Sequence, residues 1–309
     1  MLACVLPSGS SLDEVKLNMN NKLLKTLLPL AVLAILLLAQ KYLNQDPSKS
    51  PIKEEETVQR QTPSNSTLKE EETEQGALIS YPSPLGGGWE GSALLIEHEG
   101  YSLLFDTKTL CPRWVAWELT AEETRGKVSR QNVDFKEDES VPKQYQVASW
   151  DYNGGYYGRG HMCPAGDMKW SQEAMTDCHY MTNICPQTAE LNKTWWEHLE
   201  RACRRWARRD GAVQIVCGPI FSENPKRFGK KHKVAVPRAF YKVVLSLKKG
   251  REKAIGFFYT NDDAIQPMED AVRSVDDIER LTGLDFFSSL PDEQEDKLEA
   301  MNDLKIWDE

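Results

Sequence analysis

Residues 157–167 read Tyr157-Gly158-Arg159-Gly160-His161-Met162-Cys163-Pro164-Ala165-Gly166-Asp167. The chain has five histidines, and His161 is the one with an arginine two residues before it and a glycine on either side of that arginine. Along an extended strand, side chains two apart point to the same face, so Arg159 and His161 would share one. Glycines at 158 and 160 would let a bulky ligand come close to the backbone. A cation beside an imidazole suits chemistry on a phosphate. It neutralises the phosphate charge, and its repulsion keeps the imidazole neutral and able to accept a proton. A structural histidine in a glycine-rich loop is the plainer reading of these residues.

Downstream of this stretch, Leu191, Trp195, Leu199, Ala202, Cys203 and Trp206 recur with a period near 3.6 and predict a helix with one apolar face, stopped at Gly211. Asn192 and Glu200 lie eight residues apart on it. At about 100° per residue their azimuths differ by about 80°, so both can face one site. Their hard oxygen donors suit Mg²⁺, which keeps several waters and takes few protein ligands. The competing reading makes Asn192 a helix cap and Glu200 a surface partner of Arg204. Arg201, Arg204, Arg205, Arg208 and Arg209 form a basic surface along the helix, either an ordinary solvated face or a track for a phosphodiester backbone. Ala93–Glu97 and Tyr101–Asp106 read as a hairpin, and Trp114–Leu119, Val213–Cys217, Phe240–Leu247 and Ala254–Tyr259 read as further strands. Ser274 with Asp277 three residues on resembles a helix cap. Strands and isolated helices without βαβ alternation predict an α+β fold.

Together these segments resemble the DNA/RNA non-specific endonucleases, the sugar-non-specific branch of the ββα-metal nucleases, whose signature is DRGH. The resemblance runs on through Thr182-Asn183-Ile184-Cys185-Pro186-Gln187, Leu191-Asn192, Trp195 and Leu199-Glu200. It also takes in Trp114-Val115-Ala116, Gly218-Pro219-Ile220-Phe221 and Leu281-Thr282-Gly283-Leu284-Asp285-Phe286-Phe287, so it covers about residues 85–290. It implies a central antiparallel sheet with flanking helices carrying a ββα-metal site. It also implies Mg²⁺-dependent hydrolysis of phosphodiester bonds in DNA and RNA, with Mn²⁺ as a substitute and 5′-phosphate products. His161 would be the general base and Asn192 the direct metal ligand. Glu200 would hold a metal-bound water, Arg159 would contact the phosphate, Arg130 would stabilise the transition state, and Asn183 would support the site. A homodimer fits the family, although no segment here marks an interface. Where the signature commonly has Asp, this chain has Gly158, which bears on metal affinity or rate more than on reaction type. The alternative is a catalytically impaired nucleic-acid-binding surface protein. A third reading is a zinc site drawn from Cys163, Cys178, His179 and Cys185.

The 309 residues carry a formal net charge of −9, but the charges are segregated. From Arg201 to Lys253, sixteen Lys and Arg stand against Asp210, Glu223 and Glu252, about +13 by formal counting. From Asp262 to Glu309, sixteen Asp and Glu stand against Arg273, Arg280, Lys297 and Lys305, about −12. The net charge therefore does not exclude a polyanionic substrate. The acidic end, from Asp292 to Glu309, reads as a solvated helix, the alternative being a tail that folds over the basic region and competes with substrate.

Leu27 to Ala39 is an apolar run preceded by Lys22 and Lys25, so residues 1–40 read as a signal peptide or a single membrane anchor, with Met19 as an alternative start. Residues 41–76 are charged and poor in apolar side chains, a disordered linker, and residues 77–309 are the endonuclease domain. This order predicts an exported protein, periplasmic, extracellular or anchored through its N-terminus. Cys111, Cys163, Cys178, Cys185, Cys203 and Cys217 would then pair as disulfides, with buried free thiols as the alternative.

Overall fold

In the computed structural model, residues 81–85 and 92–308 are described. The expected signal or anchor (1–40) and linker (41–76) lie outside them. The central strands are apolar along nearly their whole length because both faces of their sheet are covered. In chain order the first three strands of the main sheet are β1 (Ala93–His98), β2 (Tyr101–Asp106) and β3 (Cys111–Thr120). A short pair, β4 (Gly158–His161) and β5 (Ile184–Gln187), stands apart from the main sheet. The main sheet continues with β6 (Ala212–Ile220), β7 (Ala239–Ser246), β8 (Lys253–Thr260) and β9 (Val272–Arg273). Its seven strands run in the order β9-β8-β7-β6-β3-β2-β1, with every neighbour antiparallel.

Alternation assigns the side chains to two cores. Val115, Trp117, Leu119, Val213, Ile215, Cys217, Phe240 and Val244 pack on one face, while Trp114, Ala116, Val216, Tyr241, Val243 and Leu245 pack on the other. The first face is covered by a helix, Trp196–Asp210, and by the segment carrying β4 and β5. The second is covered by the helices Val275–Thr282 and Asp292–Glu299, through Val275, Ile278 and Leu298. Ser274 caps the first of these as its spacing predicts, its Oγ accepting from the Asp277 amide. We label the three helices α1 (196–210), α2 (275–282) and α3 (292–299).

Helix α1 departs from the sequence reading at its start. Leu191–Trp195 form a π turn, and the α-helix begins at Trp196. The residue buried beneath the helix is therefore Trp196, 1% exposed, whereas Trp195 is only partly covered. A π turn spaces its contacts at i and i+5, which carries the apolar face from Leu191 to Trp196. Truncating a buried tryptophan typically costs about 3–5 kcal/mol, enough to outweigh one turn of poorer hydrogen-bond geometry. Gly211 ends the helix at φ 99°, a conformation open to glycine.

Two expectations are corrected. All six described cysteines are free and buried, so no disulfide forms among the described residues. They pack as small apolar side chains, and burial pushes the Cys178, Cys203 and Cys217 thiols up to about 12. The acidic C-terminus is not simply a solvated helix. Beyond α3, Trp307 is fully buried with its ring 4.7 Å from that of Trp206. Arg209 Nη1 donates to the Trp307 carbonyl at 2.6 Å, and Lys253 Nζ to the Ile306 carbonyl at 3.1 Å.

Candidate active site

Strand β4 pairs with β5 in the register Gly158↔Gln187, Arg159↔Pro186, Gly160↔Cys185 and His161↔Ile184. Arg159 and His161 do share a face, with the Phe135 ring between them. The Arg159 guanidinium lies 5.5 Å from the Phe135 centroid, and the His161 ring 5.1 Å from it. Arg159 is oriented by donating from Nη2 to the Ser149 carbonyl (2.5 Å) and to Asn153 Oδ1 (2.7 Å). His161 is half-buried, and its Nε2 is fully enclosed with no hydrogen-bond partner. Burial, His179 and Arg130 together hold His161 down to about 3, so the ring is neutral across the physiological range. Arg130 is exposed, and its guanidinium has no hydrogen-bond or ion-pair partner among the described residues. The structure thus brings Arg130 close enough to act electrostatically on His161 from a loop.

Asn192, in the π turn, meets β4 directly, its Nδ2 donating to the Arg159 carbonyl at 3.4 Å. Its own backbone N–H donates to the Thr188 carbonyl, so it is no side-chain cap. The Asn192 Oδ1 accepts no hydrogen bond among the described residues. Each step of a π turn rotates less than an α-helical step, which reduces the 80° offset and draws Asn192 and Glu200 toward one line. Among the described residues Glu200 has no ion-pair partner, and Arg204 instead pairs with buried Asp167 at 2.7 Å. Burial pushes the Glu200 carboxyl up to about 7, against the opposing pull of Lys242.

The expected basic surface is much reduced. Arg204 is bound to Asp167, Arg209 to Asp210, and Arg201 to Glu197, which leaves Arg205 and Arg208 exposed without a partner among the described residues. Asn183 is fully buried and spends its amide on backbone. It accepts from the Cys163 N–H and donates to the Cys163 and Cys178 carbonyls at 2.8–2.9 Å. It therefore ties the end of β4 to the Cys178 turn. The Gly160 cradle is filled by protein and not open to a ligand, since a Cβ there would lie 2.2 Å from Gln187 Oε1.

Two contributors escaped the sequence reading, and a third, His179, was expected only in a zinc set. Lys242 is fully buried in β7, its Nζ 5.0 Å and 4.6 Å from the Trp117 and Trp196 ring centroids, and it acts on Glu200 and Asp167. A lysine inside an otherwise apolar strand was its available signal. Gln187 keeps both amide atoms buried without a partner. His179 sets its ring edge against His161 at 5.0 Å. The zinc set drawn from Cys163, Cys178, His179 and Cys185 is not assembled as such. The group that does converge is His161, Cys178 and His179.

A hard divalent cation fits the donors of the π turn and α1. Asn192 offers an unpaired amide oxygen, Glu200 an unpaired carboxyl, and Gly158 adds no bulk, its Cβ position being 3.7 Å from Asn192 Nδ2.

Residues 86–293 match the DNA/RNA non-specific endonuclease family. The mitochondrial nuclease EXOG of Xenopus laevis is 35% identical over 208 residues, which are 63% of this chain and 58% of that protein. Human mitochondrial Endonuclease G is 34% identical over 216 residues, 66% of this chain and 72% of that protein. Mitochondrial Nuclease 1 of Schizosaccharomyces pombe is 32% identical over 214 residues, 63% of this chain and 66% of that protein. A chain in the crystal structure of the EndoG/EndoGI complex superposes with a TM-score of 0.62 at 28% identity, covering 67% of this chain and 91% of that one. These relatives are mitochondrial nucleases, which overturns the expectation of an exported or membrane-anchored protein. Among the described residues, no helix is long and apolar enough to cross a membrane.

Proposed function

The chain belongs to the DNA/RNA non-specific endonuclease family, and from that premise we propose that it hydrolyses phosphodiester bonds of DNA and RNA with little sequence preference, leaving 5′-phosphates. The observation that carries this reading is the meeting of β4 and the π turn, where Asn192 donates to the backbone of Arg159, two residues from a neutral His161. His161 takes the proton of the attacking water. Arg159 and Arg130 neutralise the negative charge that develops on the phosphate oxygens. Glu200 would accept hydrogen bonds from water in the site, and Asn192 Oδ1 would hold the cation. That cation, Mg²⁺ with Mn²⁺ as substitute, supplies charge stabilisation at the leaving oxygen when bound. Contacts to phosphate and not to base edges make such cleavage indifferent to sequence. The catalytic unit is residues 77–309, acting as a homodimer, which light scattering of the purified protein tests.

The decisive experiment is cleavage of supercoiled plasmid and of a structured RNA by the full chain, with Mg²⁺ and with EDTA. Both substrates should be degraded, EDTA should abolish the reaction, and end-labelling should find 5′-phosphates. His161→Ala should lose about 10²–10⁴-fold in rate while still binding DNA. A folded protein that binds DNA yet cleaves neither substrate with Mg²⁺ or Mn²⁺ would instead be a binding protein impaired at Gly158.

A further inference from the structure

Beside His161, the Cys178–His179 dipeptide turns toward the same ring, and the His179 ring lies 5.0 Å from that of His161 and 5.1 Å from that of Phe135. One potential ligand atom from each of His161, Cys178 and His179 lies within 4.8 Å of the others. Cys178 and His179 are 0% and 1% exposed, and Nε2 of both histidines is enclosed without a hydrogen-bond partner. The tautomer of His179 is fixed by its neighbour. Its Nδ1 lies 2.8 Å from the Met175 carbonyl, which can only accept, so Nδ1 carries the proton and Nε2 the lone pair. An N–H donated to a backbone carbonyl, with the other nitrogen unpaired, is how proteins prepare a histidine to ligate a metal. Burial also keeps His179 neutral.

We propose that His161, Cys178 and His179 form a site for a soft divalent cation of the zinc type, distinct from the Asn192 site, whose occupancy switches the nuclease off. One thiolate and two imidazoles are a zinc donor set, and the fourth position stays open to water. Zn–N bonds of about 2.0–2.1 Å and a Zn–S bond of about 2.3 Å require the three side chains to close inward by roughly half an ångström to one ångström. As the Zn–S bond forms, the Cys178 thiol proton leaves to solvent. Arg130 acts on both histidines and on the thiol, which weighs against any cation held by charge alone. A hydrated hard ion such as Mg²⁺ is therefore disfavoured, whereas an ion that gains its affinity from bonds to sulfur and imidazole is not. Inhibition follows from the ring chemistry. A neutral imidazole has one lone pair, and whichever His161 nitrogen binds the ion, none remains to take a proton from water. This consequence rests on His161 being the general base, whereas the binding itself does not.

The test uses the full chain with Zn²⁺ and Co²⁺ as probes. Co²⁺ should give a thiolate-to-cobalt charge-transfer band that is absent in Cys178→Ala. Zn²⁺ should inhibit Mg²⁺-dependent plasmid cleavage, reversed by a zinc chelator too weak to strip Mg²⁺. Cys178→Ala, which removes a thiol outside the catalytic machinery, should keep that cleavage and need at least tenfold more Zn²⁺ for the same inhibition. His179→Phe, which keeps a ring against Phe135, should likewise need at least tenfold more Zn²⁺ for the same fractional inhibition, measured against that variant's own Mg²⁺-dependent rate. Absence of the cobalt band from folded wild-type protein, or unchanged zinc sensitivity in both variants, would overturn the site. A cobalt band in a protein without nuclease activity would uphold the site and overturn the nuclease reading and the switch with it.

Discussion

At Gly158 the missing side chain leaves Asn192 loosely held, its Nδ2 reaching only the Arg159 carbonyl at 3.4 Å. A Cβ built on Gly158 would stand 3.7 Å from that Nδ2 and from the Gln187 carbonyl, ordinary contacts, and its φ is not among the positive values. An aspartate there would accept from Asn192 Nδ2 and pin Oδ1 outward, toward the cation. Gly158→Asp is therefore expected to lower the Mg²⁺ concentration for half-maximal cleavage about threefold to tenfold, in the range of outer contacts to metal ligands. An unchanged or raised Mg²⁺ requirement in a cleavage titration would contradict this role for the position. His161, Arg159 and Asn192 were legible because their order and spacing form a motif. Gln187 and Phe135 were not, nor was the contact of His179 with His161, since each reaches the site through contacts between segments apart in the chain. Nothing in a lone Phe135 foretells a ring placed between Arg159 and His161.

The π turn does for α1 what residue choice alone does not. It buries Trp196 in place of Trp195 and reduces the angle between Asn192 and Glu200. Two adjacent tryptophans made the shift invisible in the sequence, because either satisfies an apolar period at that point. Deleting exposed Lys193 should convert the turn to α-helix and leave seven helical steps, about 700°, between Asn192 and Glu200, so the pair stays within about 20° of one line. Circular dichroism should report the helix intact and Mg²⁺-dependent cleavage should survive within about tenfold; a fall of about 100-fold or more would show that the π geometry itself positions the pair. The strands were legible because both faces of the sheet are covered, which leaves long apolar runs, and for the same reason Lys242 in β7 stood out without an interpretation. Its fully buried charge would cost several kcal/mol alone, and Glu200 and Asp167 balance it. Lys242 in turn holds down the Glu200 carboxyl, which nonetheless reaches about 7. With the carboxylate as the working form, activity should fall as pH drops through about 7. Lys242→Met, similar in volume, removes the cation, raises the Glu200 pKa and should move this acid limb to higher pH by about half a unit to one unit. A pH–rate profile with the limb unmoved would show that another group sets it. His161, held to about 3, contributes no limb above pH 5.

The two faces of the sheet divide the labour, and the charge segregation in the sequence follows that division only in part. The basic stretch supplies Lys242 and Arg204 beneath and beside the site, but it spends Arg209 and Lys253 on the buried Asp210 and on carbonyls of the C-terminal segment. The acidic stretch forms α2 and α3 on the far face, where burial and neighbouring carboxyls push Glu279 up to about 7 and Glu299 up to about 9. Glu299 is 5% exposed, and its Oε1 is enclosed without a partner. Such a carboxyl takes up a proton on folding wherever the pH lies between its unfolded value near 4.5 and its folded value near 9. The folded state then binds more protons than the unfolded one, so stability declines as pH rises through that window. Glu299→Gln removes the linkage, and its amide can donate to the carboxylates of Asp276 and Glu279, which converge with it. Allowing about half of the usual 1.4 kcal/mol per pKa unit for relaxation, the variant should gain on the order of 2 kcal/mol at pH 8 and almost nothing at pH 4. Because the residue lies across the sheet from β4 and α1, kcat/KM for plasmid cleavage should not change. Thermal unfolding of both proteins at the two pH values, beside one cleavage assay, tests both halves. A gain equal at pH 4 and pH 8 would assign the effect to packing and not to proton uptake, and a fall in kcat/KM would show that the two faces are coupled through the strands.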